Sequence, residues 1–312
     1  MSLNLFWLQC GACGGDTMSL LCADSPGFVQ VLDKLDLRVL WHPSMTACDA
    51  KERERTVGAI TAGDLPLHIL CVEGSVIRGP TGTGMYATHS GRPKKDLLAA
   101  LAARAEHVIA VGTCASFGGI PASCEVEACG VQFTRDQKGG FLGDSWTSGS
   151  GMPVINLPGC PCHPSVVVGT LTALVGGVPL HLDRLGTPTE WYGMLVHQGC
   201  TRNEYHEYRV EEKEFGERGC LFFHMGCHGP LAHGPCNKLL WNRRSSKTRA
   251  GVPCFGCTKP GFPQATPFFE TPNIENLPIE LPEGVDRAHY MAYKGMAAAA
   301  APERLLGREN EV

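Results

Sequence analysis

Sixteen cysteines in a chain of 312 residues are its loudest chemical feature. They fall into three constellations. The first is spread along the N-terminal half: Cys10-Gly11-Ala12-Cys13-Gly14-Gly15-Asp16, then Gly112-Thr113-Cys114, then Pro158-Gly159-Cys160-Pro161-Cys162. Thiolates delivered by separate segments to one point suit a cubane iron–sulfur cluster, in which each iron takes a soft ligand. Zinc takes four such ligands as readily, and any one of these residues alone reads as a buried structural cysteine. The second constellation is His197-x2-Cys200 followed by Cys220 and Cys227, fit for a cluster with one imidazole ligand or for structural zinc. His224, His228 and His233 lie close enough in sequence to compete for the histidine role, and read otherwise as surface or interface residues. The third is Cys236 with Cys254-x2-Cys257. Three thiolates suit a three-iron cluster, which lacks the fourth iron; a C-x-x-C also forms half of a zinc ribbon.

The elements that must position these residues are legible in the first half. Apolar runs at Leu3–Leu8, Leu37–Trp41, His68–Val72, Val108–Val111 and Val154–Leu157 predict buried strands. Helical candidates lie between them: Met18–Cys22 with Val29–Leu35, Lys51–Thr61, Lys94–Ala105 and Ser165–Val175. The alternation predicts an α/β fold, a flavodoxin-like doubly wound parallel sheet, followed by a loop-rich cluster domain. Ligands of open parallel sheets sit at the carboxyl ends of the strands. Three Cys-bearing loops should therefore converge on one edge, with Glu73-Gly74-Ser75 beside them. Past residue 176 periodicity dissolves into Gly, Pro and charge, a segment that needs staples in place of a core. The domains are expected at 1–165 and 166–312, with a short surface helix over 287–301.

Composition excludes other classes. Hydrophobic residues make 43% and charged residues 19%, so the chain is no disordered tail. Glycine (38) and proline (22) follow no G-X-Y period, which removes collagen. With Lys+Arg 27 against Asp+Glu 31, no basic surplus points to nucleic acid. No stretch reaches the length of a membrane span, and the start carries no basic, cleavable leader. The expected address is the cytoplasm, with peripheral membrane attachment through another protein as an option; many cysteines in a reduced compartment argue for metal or redox chemistry.

The chain resembles the small subunit of nickel–iron hydrogenases along nearly all its length. The matching residues are Trp7-Leu8-Gln9-x-Gly-x-Cys13 with Ser19-Leu20-Leu21, Glu73-Gly74-Ser75, Gly112-Thr113-Cys114-Ala115-Ser116, and Pro158-Gly159-Cys160-Pro161. They continue through His197-x2-Cys200, Gly219-Cys220, Gly226-Cys227-x-Gly-Pro230, Cys236 and Pro253-Cys254-x-Gly-Cys257. The resemblance implies an electron-relay subunit of an oxidoreductase with two 4Fe-4S clusters and one 3Fe-4S cluster. It implies a proximal cluster on Cys13, Asp16, Cys114 and Cys160, and a medial cluster on Cys236, Cys254 and Cys257. The distal cluster would take His197, Cys200, Cys220 and Cys227. The Ni-Fe centre, where hydrogen is oxidised, belongs to a separate large subunit. That subunit is the implied obligate partner; a dimer of such heterodimers is an option.

Position 16 departs from the family pattern, which has cysteine there. Asp16 ligates iron through its carboxylate, Cys10 takes its place, or Asp16 merely caps a helix starting at Thr17. Register with the flanking motifs favours Asp16 as ligand. An aspartate here is similar to the actinobacterial-type, oxygen-insensitive, high-affinity branch. The two extra cysteines of the membrane-bound tolerant branch fall on Gly15 and Gly119, so that branch's oxidised-cluster chemistry is not expected. Hydrogen-sensing small subunits share much of the pattern but keep cysteine at position 16. A zinc-stapled adaptor is the rival from another class. Cys22, Cys48, Cys71, Cys124, Cys129 and Cys162 have no implied role, with Cys162 the leading exception. Glu73 reads either as a loop carboxylate taking backbone hydrogen bonds or as a group beside the proximal cluster.

Overall fold

The computed structural model describes residues 2–24, 26–275 and 277–307. The expected domain limits at 1 and 312 lie outside the described residues. The chain forms two compact units, Met1–Trp191 with Thr258–Pro263, and Tyr192–Cys257 with Gln264–Val312.

The first unit is built on five parallel strands: β1 (Leu3–Gln9), β2 (Leu37–Trp41), β3 (Leu67–Glu73), β4 (Ala105–Val111) and β5 (Ile155–Leu157). Their order is β5-β4-β3-β1-β2, the doubly wound flavodoxin-like order. Pairing runs in register, Leu8 opposite Val72 and Val72 opposite Ala110. Strands enclosed on both faces should read as unbroken apolar runs. Phe6, Trp7, Leu70, Val72, Ile109, Val111 and Leu157 are all fully buried.

The crossovers are helical, α1 (Gly15–Leu21), α2 (Phe28–Lys34), α3 (Ala50–Ala62), α4 (Lys94–Ala102) and α5 (Gly112–Phe117), and α6 (Pro164–Val175) follows β5. Asp49 starts α3 by accepting the Glu52 amide at 2.7 Å, and Pro164 opens α6, where the missing N–H costs nothing. α5 departs from the sequence expectation. Gly112-Thr113-Cys114 reads as a loop, yet a left-handed Gly112 (φ 84°) turns the chain directly from β4 into a helix.

The first unit also runs past the expected boundary at 165. α6 buries Val166, Val167, Thr170 and Leu171, so it is a covering helix of the sheet domain and not the start of the next one.

The second unit is loop-rich, with α7 (Asn203–Glu207) and α8 (Arg287–Ala299) as its principal helices. It nevertheless has a small core of its own. Cys220, Leu221, Phe222, Phe223, Met225 and Cys227 cluster together, with Tyr205, Leu231, Cys254 and Tyr290 against them. Two of the cysteines flagged by the sequence are therefore core residues of this unit. α8 covers most of the expected 287–301 helix and buries none of its own residues.

Candidate functional site

The carboxyl edge of the first unit's sheet carries the loops of the first constellation. The loop after β1 is laced to the loop after β3: Gly11 N–H donates to Ser75 O at 2.9 Å, and Ser75 N–H returns to Gly11 O at 3.1 Å. The lacing is close enough that a Cβ on Gly74 would lie 2.5 Å from Ala12 Cβ. The head of α5 is tied in the same way to the loop after β5. Thr113 N–H donates to Gly159 O, and Gly159 N–H to Thr113 Oγ1, each at 2.9 Å. These ties bring Cys114 beside Cys13 and Asp16, whose negative charges both push its thiol pKa up, after burial as the main cause. The Ile120 amide and the Ser75 hydroxyl oppose them by hydrogen-bonding its sulfur. Cys13 is exposed and accepts the Gly15 amide at 3.4 Å.

Asp16 sits in the first turn of α1. The helix begins at Gly15 with Gly14 as its cap residue and no side-chain cap bond, so Asp16 does not cap it. Its Oδ1 accepts the Cys162 amide at 2.7 Å, and Ser19 Oγ donates to Cys162 O at 2.7 Å. α1 is thereby stapled to the loop carrying Cys160. Burial pushes the Asp16 carboxyl up to about 7; the Cys162 hydrogen bond opposes the rise and Glu73 adds to it. Cys10, by contrast, is packed in the sheet core, its thiol driven by burial up to about 12. Cys162 is buried, and its contribution here is its backbone.

Glu73 ends β3 and is fully buried, so it is no loop residue. Its Oε2 accepts Trp7 Nε1–H at 3.0 Å and the Thr17 hydroxyl at 2.5 Å; its Oε1 accepts the Thr17 amide at 3.1 Å. Thr17 immediately follows Asp16, so Glu73 fixes the turn that presents it.

In the second unit, His197, Cys200, Cys220 and Cys227 line one small cavity of about 10 Å³, together with Arg202, Leu221, Phe222, Gly229, Pro230, Asn237 and Thr248. Burial raises the thiols of Cys220 and Cys227, and the other thiols nearby raise them further. Backbone amides point at the sulfurs: Arg202 N–H to Cys200 at 3.4 Å and Cys254 N–H to Cys227 at 3.3 Å. Cys236, Cys254 and Cys257 form a further group. Burial drives Cys236 up to about 12 and Cys254 well above its ordinary range, with the neighbouring thiols contributing to both. His224 pairs with Glu211 at 2.8 Å, and His233 with Glu283 at 2.9 Å. Neither lines the cavity.

Sequence reasoning missed Thr17, Gly112, the Cys162 amide and His206, which lies against Cys220. The first three act through tertiary hydrogen bonds or backbone shape; His206 was visible only as one more histidine in a Cys-rich stretch.

Residues 13–174 match the family "NADH ubiquinone oxidoreductase, 20 Kd subunit", and residues 192–270 match the C-terminal family of the NiFe/NiFeSe hydrogenase small subunit. The F420 non-reducing hydrogenase I small subunit of Methanosarcina mazei is 34% identical over 289 residues, covering 84% of this chain and 74% of that one. The chain belongs to the nickel–iron hydrogenase small subunits. Another such subunit, from the periplasmic [NiFe] hydrogenase of Solidesulfovibrio fructosivorans, is 30% identical over 275 residues, covering 86% of this chain and 81% of that one. Among solved structures, the actinobacterial-type NiFe-hydrogenase from Ralstonia eutropha matches 99% of this chain and 92% of its own, with TM-score 0.78 and 25% identity. The NiFeSe hydrogenase from Desulfomicrobium baculatum matches 86% and 99%, with TM-score 0.75 and 27% identity.

As a hydrogenase small subunit, this chain is the electron-transfer component of an oxidoreductase, carries iron–sulfur clusters and pairs with a large subunit. The zinc-stapled adaptor is thereby set aside. No helix among the described residues is long and apolar enough to cross a membrane.

Proposed function

We propose that this small subunit relays electrons from hydrogen oxidation in the large subunit to an external acceptor through three clusters. A proximal 4Fe-4S cluster would sit on Cys13, Asp16, Cys114 and Cys160 of the first unit. A medial 3Fe-4S cluster on Cys236, Cys254 and Cys257, and a distal 4Fe-4S cluster on His197, Cys200, Cys220 and Cys227, would sit in the second. When bound, each cluster takes up and returns one electron at a time. The observation that carries the reading is the cavity into which one imidazole and three thiols open together.

The donor chemistry fits such groups. Buried thiols crowded against one another are costly as thiolates, and bound iron relieves that cost. Amide N–H groups already face Cys13, Cys200 and Cys227, and such hydrogen bonds to sulfur are among the protein's means of setting a cluster's potential. For the fourth proximal ligand the surroundings favour Asp16 over Cys10. Asp16 is an electrostatic neighbour of Cys114, and its raised pKa marks a carboxylate that a cation would stabilise; Cys10 is committed to the core. Asp16 also supports placement in the actinobacterial-type branch and not among hydrogen sensors. A chain this rich in cysteine fits a reducing, cytoplasmic address.

The test is iron, zinc, nickel and acid-labile sulfide per heterodimer after anaerobic purification. The reading predicts about eleven cluster irons in this chain, matching sulfide, and nickel in the partner. Zinc at about two or three per chain with little sulfide would overturn it.

A further inference from the structure

The distal site holds a residue with no part in the ligand set. Cys220 is 5% exposed, and two donors approach its sulfur. One is the Phe222 amide. The other is the His206 ring, whose Nδ1 lies 3.4 Å from Cys220 Sγ. His206 is carried by α7 and is not among the residues lining the distal cavity. The ring is held in an aromatic slot. Phe223 stacks on it at 5.2 Å and 15°, Phe222 meets it at 5.4 Å and 65°, and the ring of His197 lies 4.5 Å away. Phe223 in turn lies under the Arg209 guanidinium at 4.1 Å, which also covers Tyr290 of α8 and pairs with Glu211 at 2.8 Å. The imidazole therefore has little rotational freedom, and one nitrogen is aimed at one sulfur.

A ligating thiolate carries no proton, so in this contact the ring is the donor. We propose that His206 is a positioning residue that donates Nδ1–H to the Cys220 thiolate and thereby raises the potential of the distal centre, setting how readily electrons leave the subunit. The inference rests on Cys220 being a distal ligand. A hydrogen bond to a ligand sulfur stabilises the more negative, reduced state over the oxidised one. The Nδ1 proton stays on His206 throughout. The couple it biases is one electron in, drawn from hydrogen, and one electron out to the acceptor.

The experiment is an EPR-monitored redox titration of the purified heterodimer carrying wild-type chain, His206→Phe or His206→Asn. Phenylalanine fills the slot without a donor; asparagine restores an N–H near the Nδ1 position. In His206→Phe the distal reduced-to-oxidised ratio at fixed potential should fall tenfold or more, a 59 mV drop for a one-electron couple. The medial midpoint should not move, and His206→Asn should sit at the wild-type value. Iron lost from His206→Phe alone, with His206→Asn at the wild-type midpoint, also supports the donor role. An unmoved distal midpoint in His206→Phe overturns the inference. So does an equal drop, or equal iron loss, in both variants, which would assign His206 to packing. A wild-type heterodimer short of the distal irons would instead sink the cluster assignment, whatever the variants do.

Discussion

The Asp16 carboxylate rests against the Cα of Gly112: a Cβ built on that glycine would lie 2.6 Å from Asp16 Cγ. Gly112 also has φ 84°, where a side chain is strained. Gly112→Ala should therefore expel Asp16 from its place as well as strain the head of α5. The expected cost is about 1–3 kcal/mol, read as a lower urea midpoint for the heterodimer. A changed proximal EPR signal should accompany it. Normal stability and an unchanged signal would show that Asp16 is free to move aside.

Asp16→Cys restores the family's usual thiolate. It should change the proximal EPR signal and its potential and leave the medial signal alone. Carboxylate is a harder ligand than thiolate, so the two sets should differ in potential and in the lability of that iron. An unchanged proximal signal would return the assignment to Cys10 or to a purely structural aspartate.

Glu73 satisfies four donors from two segments, Trp7 Nε1, Gln9 Nε2, Thr17 N and Thr17 Oγ1, with a fully buried carboxylate. Glu73→Gln turns an amide NH2 toward one side of that set. Facing a donor with a donor should cost about 1–3 kcal/mol, measured by urea denaturation. It should also loosen the Asp16 turn, visible as faster amide exchange at Thr17 and Met18.

Acid should weaken the first unit through His42. This histidine is 1% exposed, and burial lowers its pKa below the ordinary 6.5, with Glu73 opposing. Its Nδ1 accepts the Ser44 amide at 3.1 Å, so protonation there breaks a bond. The unfolded chain takes up a proton as pH falls through 6.5, while the folded chain resists until a lower pH. The contribution is thus fully present above 6.5 and is lost as pH falls toward the folded pKa. His42→Asn keeps an acceptor that does not titrate and should flatten the fall in melting temperature between pH 7 and pH 5. Parallel slopes in the two proteins would remove His42 from the account.

The strands were legible because they are apolar on both faces, and a run such as Val108–Val111 has no competing interpretation. α5 was not, because a glycine before a cysteine reads as loop until its left-handed φ is known. The boundary at 165 failed for a related reason: the end of the last strand is visible in the residues, but the open face that α6 must cover exists only once the sheet has formed. The core of the second unit hid in Leu221-Phe222-Phe223, too short to show a period between two cysteines. Among the candidate ligands, the motif order named the residues. The contacts that hold them, Cys162 N–H on Asp16 and His206 on Cys220, join residues 146 and 14 positions apart, which spacing along the chain does not reveal.

The staple between Asp16 and Cys162 also fixes an order of events. The loops carrying residues 13, 16, 114 and 160 share one edge of the sheet only after β5, the last of its five strands in chain order and itself at the sheet's margin, has docked on β4. Parallel pairing across such separations is among the slow steps of folding. Under the proposed assignment, iron would not find the four proximal ligands together on a nascent chain that ends before β5. On that assignment, cluster insertion there would be a late event in the maturation of this protein, following completion of the sheet.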